Sequence, residues 1–317
     1  MRAAVGIPLA LAGLLALAGC GPTGSDAEAI DPQIDAAGTD LATDPAVTVI
    51  ADVVYGTVDG TPLLLDACLP PDFDPAAASV PGIVVVHGGS WREGRKDSVG
   101  WRAVCTWLAS AGYPAFSIEY RLAPEHPFPA GFDDVRAAVA WLRADVQAER
   151  FGLDPERIGI FGGSAGGNLA ALAGTAGRGD VDTGGRVAAV VDVSGPIDLT
   201  GVALTDDFAP LQLEYLGCTS FQTCDTAEDA SPNYQVDATD PPFFIAHSST
   251  EKIPLAQSER FVEDLRDAGI DVEFLVADGT LHSIALLDDD LKSRIVAFYA
   301  RTLGAGFAPA EEPDAAE

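Results

Sequence analysis

Six short apolar runs constrain this chain more than any other feature. Gly82 to Val86 reads Gly-Ile-Val-Val-Val, and comparable runs recur at Ala115 to Ile118, Arg157 to Phe161, Val187 to Val193, Pro242 to Ala246 and Val272 to Val276. A strand with one face in water alternates apolar and polar residues. One without alternation has to bury both faces, as inside a parallel sheet covered by helices. Helical periods do fall between the runs. Val135, Ala138, Val139, Leu142 and Val146 share one face at i, i+3, i+4, i+7 spacing, and Ile284, Leu287, Leu291, Ile295 and Phe298 do much the same near the end. The alternation predicts an α/β chain, with a mostly parallel central sheet and helices on both faces.

Two segments depart from this grammar. Val47 to Val58 and Thr61 to Leu69 are β-rich and separated by Asp59-Gly60, a strong hairpin signal. Residues from about Asp198 to Asp240 hold two cysteines, Pro210, Pro232 and several aromatics with weak periodicity. They are expected to form a short insertion over the sheet's edge and the site. No internal repeat is visible.

The first twenty residues read as an address. Arg2 precedes an uncharged apolar run from Ala3 to Ala18, interrupted by Gly6, Pro8 and Gly13, which suits a signal-peptide core better than a membrane span. Its ending, Leu17-Ala18-Gly19-Cys20, resembles the bacterial lipobox. That resemblance implies lipidation at Cys20 and an extracytoplasmic protein held at the cell membrane by acyl chains. The expected organisation is a signal peptide over 1–19, an acidic flexible linker over 20–46, a catalytic body over 47–303 and an acidic disordered tail over 304–317.

Export also decides how the remaining cysteines read. Cys68, Cys105, Cys218 and Cys224 are an even number in an oxidising compartment. Of three possible pairings, Cys218–Cys224 is favoured because a short polar loop joins them, and Cys68–Cys105 follows by elimination.

The chain carries 48 Asp and Glu against 18 Lys and Arg, a formal net charge of −30. Attraction to phosphate or to anionic headgroups needs a basic surface. Nucleic acid is therefore excluded as a partner, and membrane attachment is left to the lipid anchor. The body's share of the charge also disfavours strongly anionic substrates. Asp288, Asp289 and Asp290 read as a solvated helix face, not a cation site, so no metal is expected.

The chemistry concentrates at Gly162-Gly163-Ser164-Ala165-Gly166, which matches G-x-S-x-G between an apolar run and an Ala-rich helix. Glycines two residues before and after the serine leave room for a nucleophile lifted out on a strained turn. Ser164 needs a base, and the chain has four histidines. His87 and His126 precede the serine, and His247 ends an apolar strand. His282, in a loop before the last helix, is the natural base in the chain order nucleophile, acid, histidine. Glu251, 31 residues earlier on the loop after the Phe243 strand, is the favoured acid, with Asp198 second and Asp278 assigned to shaping the His282 turn. His87-Gly88-Gly89-Ser90-Trp91 follows a buried strand. The amides of Gly88, Gly89, Ser90 and Ala165 are candidate oxyanion donors, His87 orders the loop, and Trp91 is a candidate lining of the acyl or alcohol pocket.

With these residues assembled, the chain resembles the α/β-hydrolase superfamily, and within it the bacterial feruloyl-esterase-like (BD-FAE) group and its hormone-sensitive-lipase-like relatives. The marks are the His87 loop, Glu119-Tyr-Arg-Leu-Ala-Pro with Phe128-Pro-Ala, Asp154-Pro-Glu-Arg-Ile, Gly162 to Gly167, and Pro241-Pro-Phe-Phe-Ile-Ala-His. Relatives usually place His-Gly shortly before an Asp triad member, where this chain has His247-Ser-Ser-Thr-Glu251. The resemblance implies a cofactor-free serine esterase acting on small or carbohydrate-linked neutral esters. Amide hydrolysis of the arylformamidase kind and a non-catalytic binding scaffold are the alternatives.

Overall fold

The computed structural model describes Met1 and residues 44–202 and 208–308. The expected signal peptide, the lipidation at Cys20, and most of the linker and tail lie outside these residues. The body runs slightly beyond its expected bounds. The Val47 amide donates to Asp44 O at 3.2 Å, and the Phe307 amide donates to Gly112 O at 2.7 Å. Residues 304–308 thus lie against the body.

Among the described residues, eight strands form one sheet: β1 (Thr48–Val58), β2 (Thr61–Leu69), β3 (Val80–Val86), β4 (Ala115–Ile118), β5 (Leu153–Gly163), β6 (Ala189–Val193), β7 (Phe243–Ser248) and β8 (Val272–Ala277). Their order is β1-β2-β4-β3-β5-β6-β7-β8. β1 pairs antiparallel with β2, and β2 antiparallel with β4. Every other pairing is parallel. Asp59 and Gly60 both have positive φ, at 51° and 82°, the backbone twist a two-residue hairpin needs. The strand order reverses around β3, with β4 on one side and β5 on the other. At such a switch point the loops leaving the carboxyl ends diverge and open a crevice.

The helices are α1 (Val99–Ser110), α2 (Ala130–Arg143), α3 (Asp145–Phe151), α4 (Ala165–Thr175), α5 (Ala209–Leu216), α6 (Leu255–Asp267) and α7 (Asp289–Thr302). Successive residues of β3 serve opposite faces: Ile83 and Val85 pack with α1 and α7, while Val84 and Val86 join the core under α2, α4 and α6. This two-sided burial is why the run is apolar throughout.

Two helical periods resolve differently from their spacing. Ala144 is extended (φ −63°, ψ 134°) and ends α2, so Val146 falls in α3 and is 72% exposed, off the expected buried face. Ile284 and Leu287 are buried as expected, but Ile284 lies in a short 3₁₀ segment (Ser283–Leu286) and Leu287 caps its end, both ahead of α7, which starts after the Asp288 cap.

The insertion also sits elsewhere than at a lateral edge. It leaves β6 and returns to β7, carries α5, and lies over the loops at the carboxyl ends of the central strands. Tyr215 stacks on Trp91 at 4.3 Å, and Ala230 O accepts from Asn168 Nδ2 at 3.2 Å. Both disulfides are present. Cys68–Cys105 joins β2 to α1, and Cys218–Cys224 closes the turn after α5.

Candidate active site

Ser164 stands between β5 and α4 with φ 56° and ψ −126°, a backbone state that costs a non-glycine residue about 1–3 kcal/mol and persists where its surroundings enforce it. Here the Ser164 amide donates to Val193 O at 2.9 Å. Neither flanking glycine has space for a side chain: a Cβ on Gly162 would lie 2.0 Å from Gly166 O, and one on Gly166 would lie 2.1 Å from Val86 O.

His282 arrives from the loop after β8. Its Nε2 is 2.8 Å from Ser164 Oγ, and its Nδ1 contacts Glu251 Oε2. With Nδ1–H donated to the carboxylate, the Nε2 lone pair is left to accept the serine proton. Backbone ties hold acid and base loops together. The Ser249 amide donates to Ala277 O at 2.8 Å, Thr250 N to Gly279 O at 3.0 Å, and Gly279 N to Ser249 Oγ at 3.1 Å. All three side chains are buried: Ser164 and His282 are 3% and 1% exposed, and the Glu251 carboxylate is fully covered.

The other candidates are engaged elsewhere. Asp198 accepts from the Thr200 amide at 2.9 Å and its hydroxyl at 2.6 Å, closing its own turn. Asp278 and His126 are exposed. Asp288 caps α7 through the Leu291 amide, while Asp289 and Asp290 pair with Lys292 and Arg294.

The loop after β3 presses against Ser164. A Cβ on Gly88 would lie 2.9 Å from Gly163 O and 3.2 Å from Ser164 Cβ, so only glycine lets the backbone come this close. Beyond it, Gly89, Ser90 and Trp91 all have positive φ, and the Arg92 and Glu93 amides return to Gly89 O at 3.1 Å. Ala165 opens α4, where an amide has no partner within its own helix. His87 Nδ1–H donates to Gly88 O at 2.8 Å, and its ring stacks on Tyr120 at 4.4 Å. Burial lowers its pKa from 6.5 to about 4, opposed by the hydrogen bond to Gly88, so the ring is a neutral support for the loop.

Trp91 corrects the sequence expectation. It is 1% exposed, stacked on Tyr215, with Nε1 donating to Asn168 Oδ1 at 3.2 Å. The ring packs the loop against the insertion and does not line an open pocket.

Four further residues matter to which the motifs assign no role: Tyr120, Asn168, Asp192 and Ser258. Tyr120 lies in the quoted Glu119-Tyr-Arg motif and donates its hydroxyl to His87 O at 3.0 Å. Asn168 sits one turn beyond Ser164. Asp192 and Ser258 have no local signal, since their contacts come from distant segments. Asp192 is fully buried, and desolvation raises its pKa to about 7, with the Gly195 amide lowering it and the Glu251 charge raising it.

The BD-FAE family matches residues 65–265. Esterase LipC of Mycobacterium tuberculosis is 35% identical over 250 residues, 74% of this chain and 60% of its own length. Esterase LipQ of the same organism is 31% identical over 275 residues, covering 80% and 64%. The chain spans about three-fifths of the length of these curated relatives. A truncated form of a carbohydrate esterase from gut microbiota has 26% identity and a TM-score of 0.71, covering 82% of this chain and 98% of that one. A native thermophilic esterase of Thermogutta terrifontis has 25% identity and a TM-score of 0.66, covering 84% and 96%. With its sheet order and the strained turn at Ser164, this chain has the α/β-hydrolase fold and belongs to the BD-FAE family.

Proposed function

We propose that the chain is a carboxylic-ester hydrolase that uses Ser164 and an acyl-enzyme intermediate on small or carbohydrate-linked neutral esters. The observation that carries this reading is the buried line Ser164 Oγ, His282 and Glu251, with the serine 2.8 Å from the imidazole. Ser164 Oγ bonds to the ester carbonyl carbon as His282 Nε2 takes its proton, and the carbonyl electron pair moves to oxygen. The amides of Gly88, Gly89, Ser90 and Ala165 are the donors for that oxyanion. Collapse expels the alcohol, which takes the proton from His282, and the acyl group stays on Ser164. Water, deprotonated by His282, then releases the acid and restores the serine. Glu251 holds the imidazole and balances its transient charge.

Support for the ester comes from the names of the relatives, and support for a carbohydrate-linked alcohol from the gut-microbiota esterase. Net charge favours neutral substrates. The test is fluorophosphonate labelling alongside hydrolysis of p-nitrophenyl acetate, acetyl-xylan and feruloyl esters. Labelling of Ser164 and loss of turnover in Ser164→Ala are expected; an active Ser164→Ala protein overturns the reading. The proposal includes an acyl anchor at Cys20, supported by the Leu17-Ala18-Gly19-Cys20 ending. Cys20→Ala should move the protein to the soluble fraction, and unchanged partitioning refutes the anchor.

A further inference from the structure

The carboxylate of Glu251 lies between two imidazoles. Oε2 faces His282, while Oε1 lies 3.1 Å from Nε2 of His247, a fully buried residue near the end of β7. The same Nε2 is 2.9 Å from Ile253 O, and Nδ1 is 2.9 Å from Ser258 Oγ on α6. A nitrogen facing two oxygens that cannot donate must carry the hydrogen, and the Ser258 hydroxyl satisfies the other ring nitrogen. The N–H is aimed at Ile253 O. Glu251 Oε1 lies off its line, close enough for attraction without a full hydrogen bond, and no other donor among the described residues reaches it.

The path of the chain explains what this does. Between β7 and α6 the acid loop winds around the His247 ring, which grips its carbonyl at Ile253, its carboxylate at Glu251 and the helix beyond at Ser258. A glutamate has one more rotatable bond than an aspartate and needs more restraint to present one oxygen to His282. We infer that His247 is a positioning residue for the triad acid, pinning the Glu251 loop and drawing Oε1 aside so that Oε2 stays on His282. It acts through Glu251 and does not touch the ester. The inference rests on the serine mechanism proposed above.

The test compares His247→Asn, which places an amide near the Nδ1 position alone, with His247→Gln, whose amide nitrogen reaches the Nε2 position. Each is made in wild-type and Glu251→Gln backgrounds and assayed on p-nitrophenyl acetate. The expected result is a fall of about tenfold in kcat for His247→Asn, which loses the hydrogen bond to Ile253 O and the attraction on Glu251 Oε1 together, with KM little changed and most of the loss restored in His247→Gln. In the Glu251→Gln background the Asn substitution should add less than about twofold, because the group it acts through is already gone. Equal losses in both backgrounds, or no rescue by Gln, overturn the inference. If His247→Asn does not fold, Ser258→Ala takes its place; a severalfold kcat loss that vanishes in Glu251→Gln supports the inference, and a loss that persists refutes it. Ser164→Ala separates the two ideas. If it is active, the serine mechanism fails, whereas an inactive Ser164→Ala with an additive cycle removes the role of His247 alone.

Discussion

Trp91 Nε1 donates to Asn168 Oδ1 at 3.2 Å, tying the loop that carries the candidate oxyanion amides to the helix that begins after Ser164. The Asn168 amide nitrogen reaches on to Ala230 O at 3.2 Å, and its backbone N–H returns to Ser164 O at 3.0 Å. One side chain thus joins the loop, α4 and the insertion. Asn168→Ala strands a buried indole N–H and a buried carbonyl, each costing about 1–3 kcal/mol. We expect a lower urea midpoint and, because the amides lose their register with Ser164, a kcat reduced about tenfold or more. An Asn168→Ala protein unchanged in both respects would show that the tie is dispensable.

His87 makes the same loop sensitive to acid. Its pKa is about 4 in the folded chain against 6.5 for an ordinary histidine, so between these values the unfolded state binds the extra proton. The stabilisation is complete above pH 6.5 and is lost as pH falls toward 4, a loss of roughly 3 kcal/mol by linkage. His87→Phe keeps a ring against Tyr120 and removes the titration. Unfolding free energies measured in urea at pH 7 and pH 4.5 should fall further in the wild type than in the variant. Equal falls would mean the buried ring titrates normally.

The legibility of this chain divides by the distance over which each signal acts. The strands are visible in the sequence because burial on two faces removes polar residues within a few positions, and Gly162 to Gly166 is visible because a strained turn excludes side chains locally. Chain order singles out His282 as the base candidate but leaves Asp198 beside Glu251 as the acid, and only the folded loop sets Glu251 Oε2 against His282 Nδ1. Trp91 misleads because an aromatic beside a catalytic loop looks the same whether its ring meets substrate or Tyr215. Val146 misleads because nothing in its periodicity announces the break at Ala144. Asp192 and the grip of His247 on Glu251 depend on segments folded together from far along the chain.

The two disulfides should contribute unequally. Cys68 and Cys105 are 37 residues apart in sequence and both fully buried, whereas Cys218 and Cys224 are six apart on the insertion. Loop-closure entropy gives about 4 kcal/mol for the first and about 2 kcal/mol for the second. Paired Cys→Ala variants should therefore show the larger loss of melting temperature for 68/105. For 218/224 we expect the smaller loss, with activity most affected because α5 packs on Trp91. The reverse order of melting temperatures would indicate that native-state packing outweighs the chain-entropy effect.

Asp192 carries the opposite pH dependence to His87. Its side chain is fully buried on β6; Oδ1 accepts the Gly195 amide at 2.9 Å, and Oδ2 has no partner among the described residues. Desolvation raises its pKa from 3.8 to about 7, so the folded chain prefers the protonated acid. Stabilisation from that proton is complete below pH 3.8 and is lost as pH rises through 7, amounting at most to roughly 4 kcal/mol. Asp192→Asn retains an oxygen for the Gly195 amide and has no proton to lose. The variant should match the wild type in melting temperature near pH 4 and exceed it at pH 8, where the wild type must either hold a buried charge beside Glu251 or unfold more readily. A variant that is less stable at pH 8 would show that the ionised carboxylate is the form the fold accommodates.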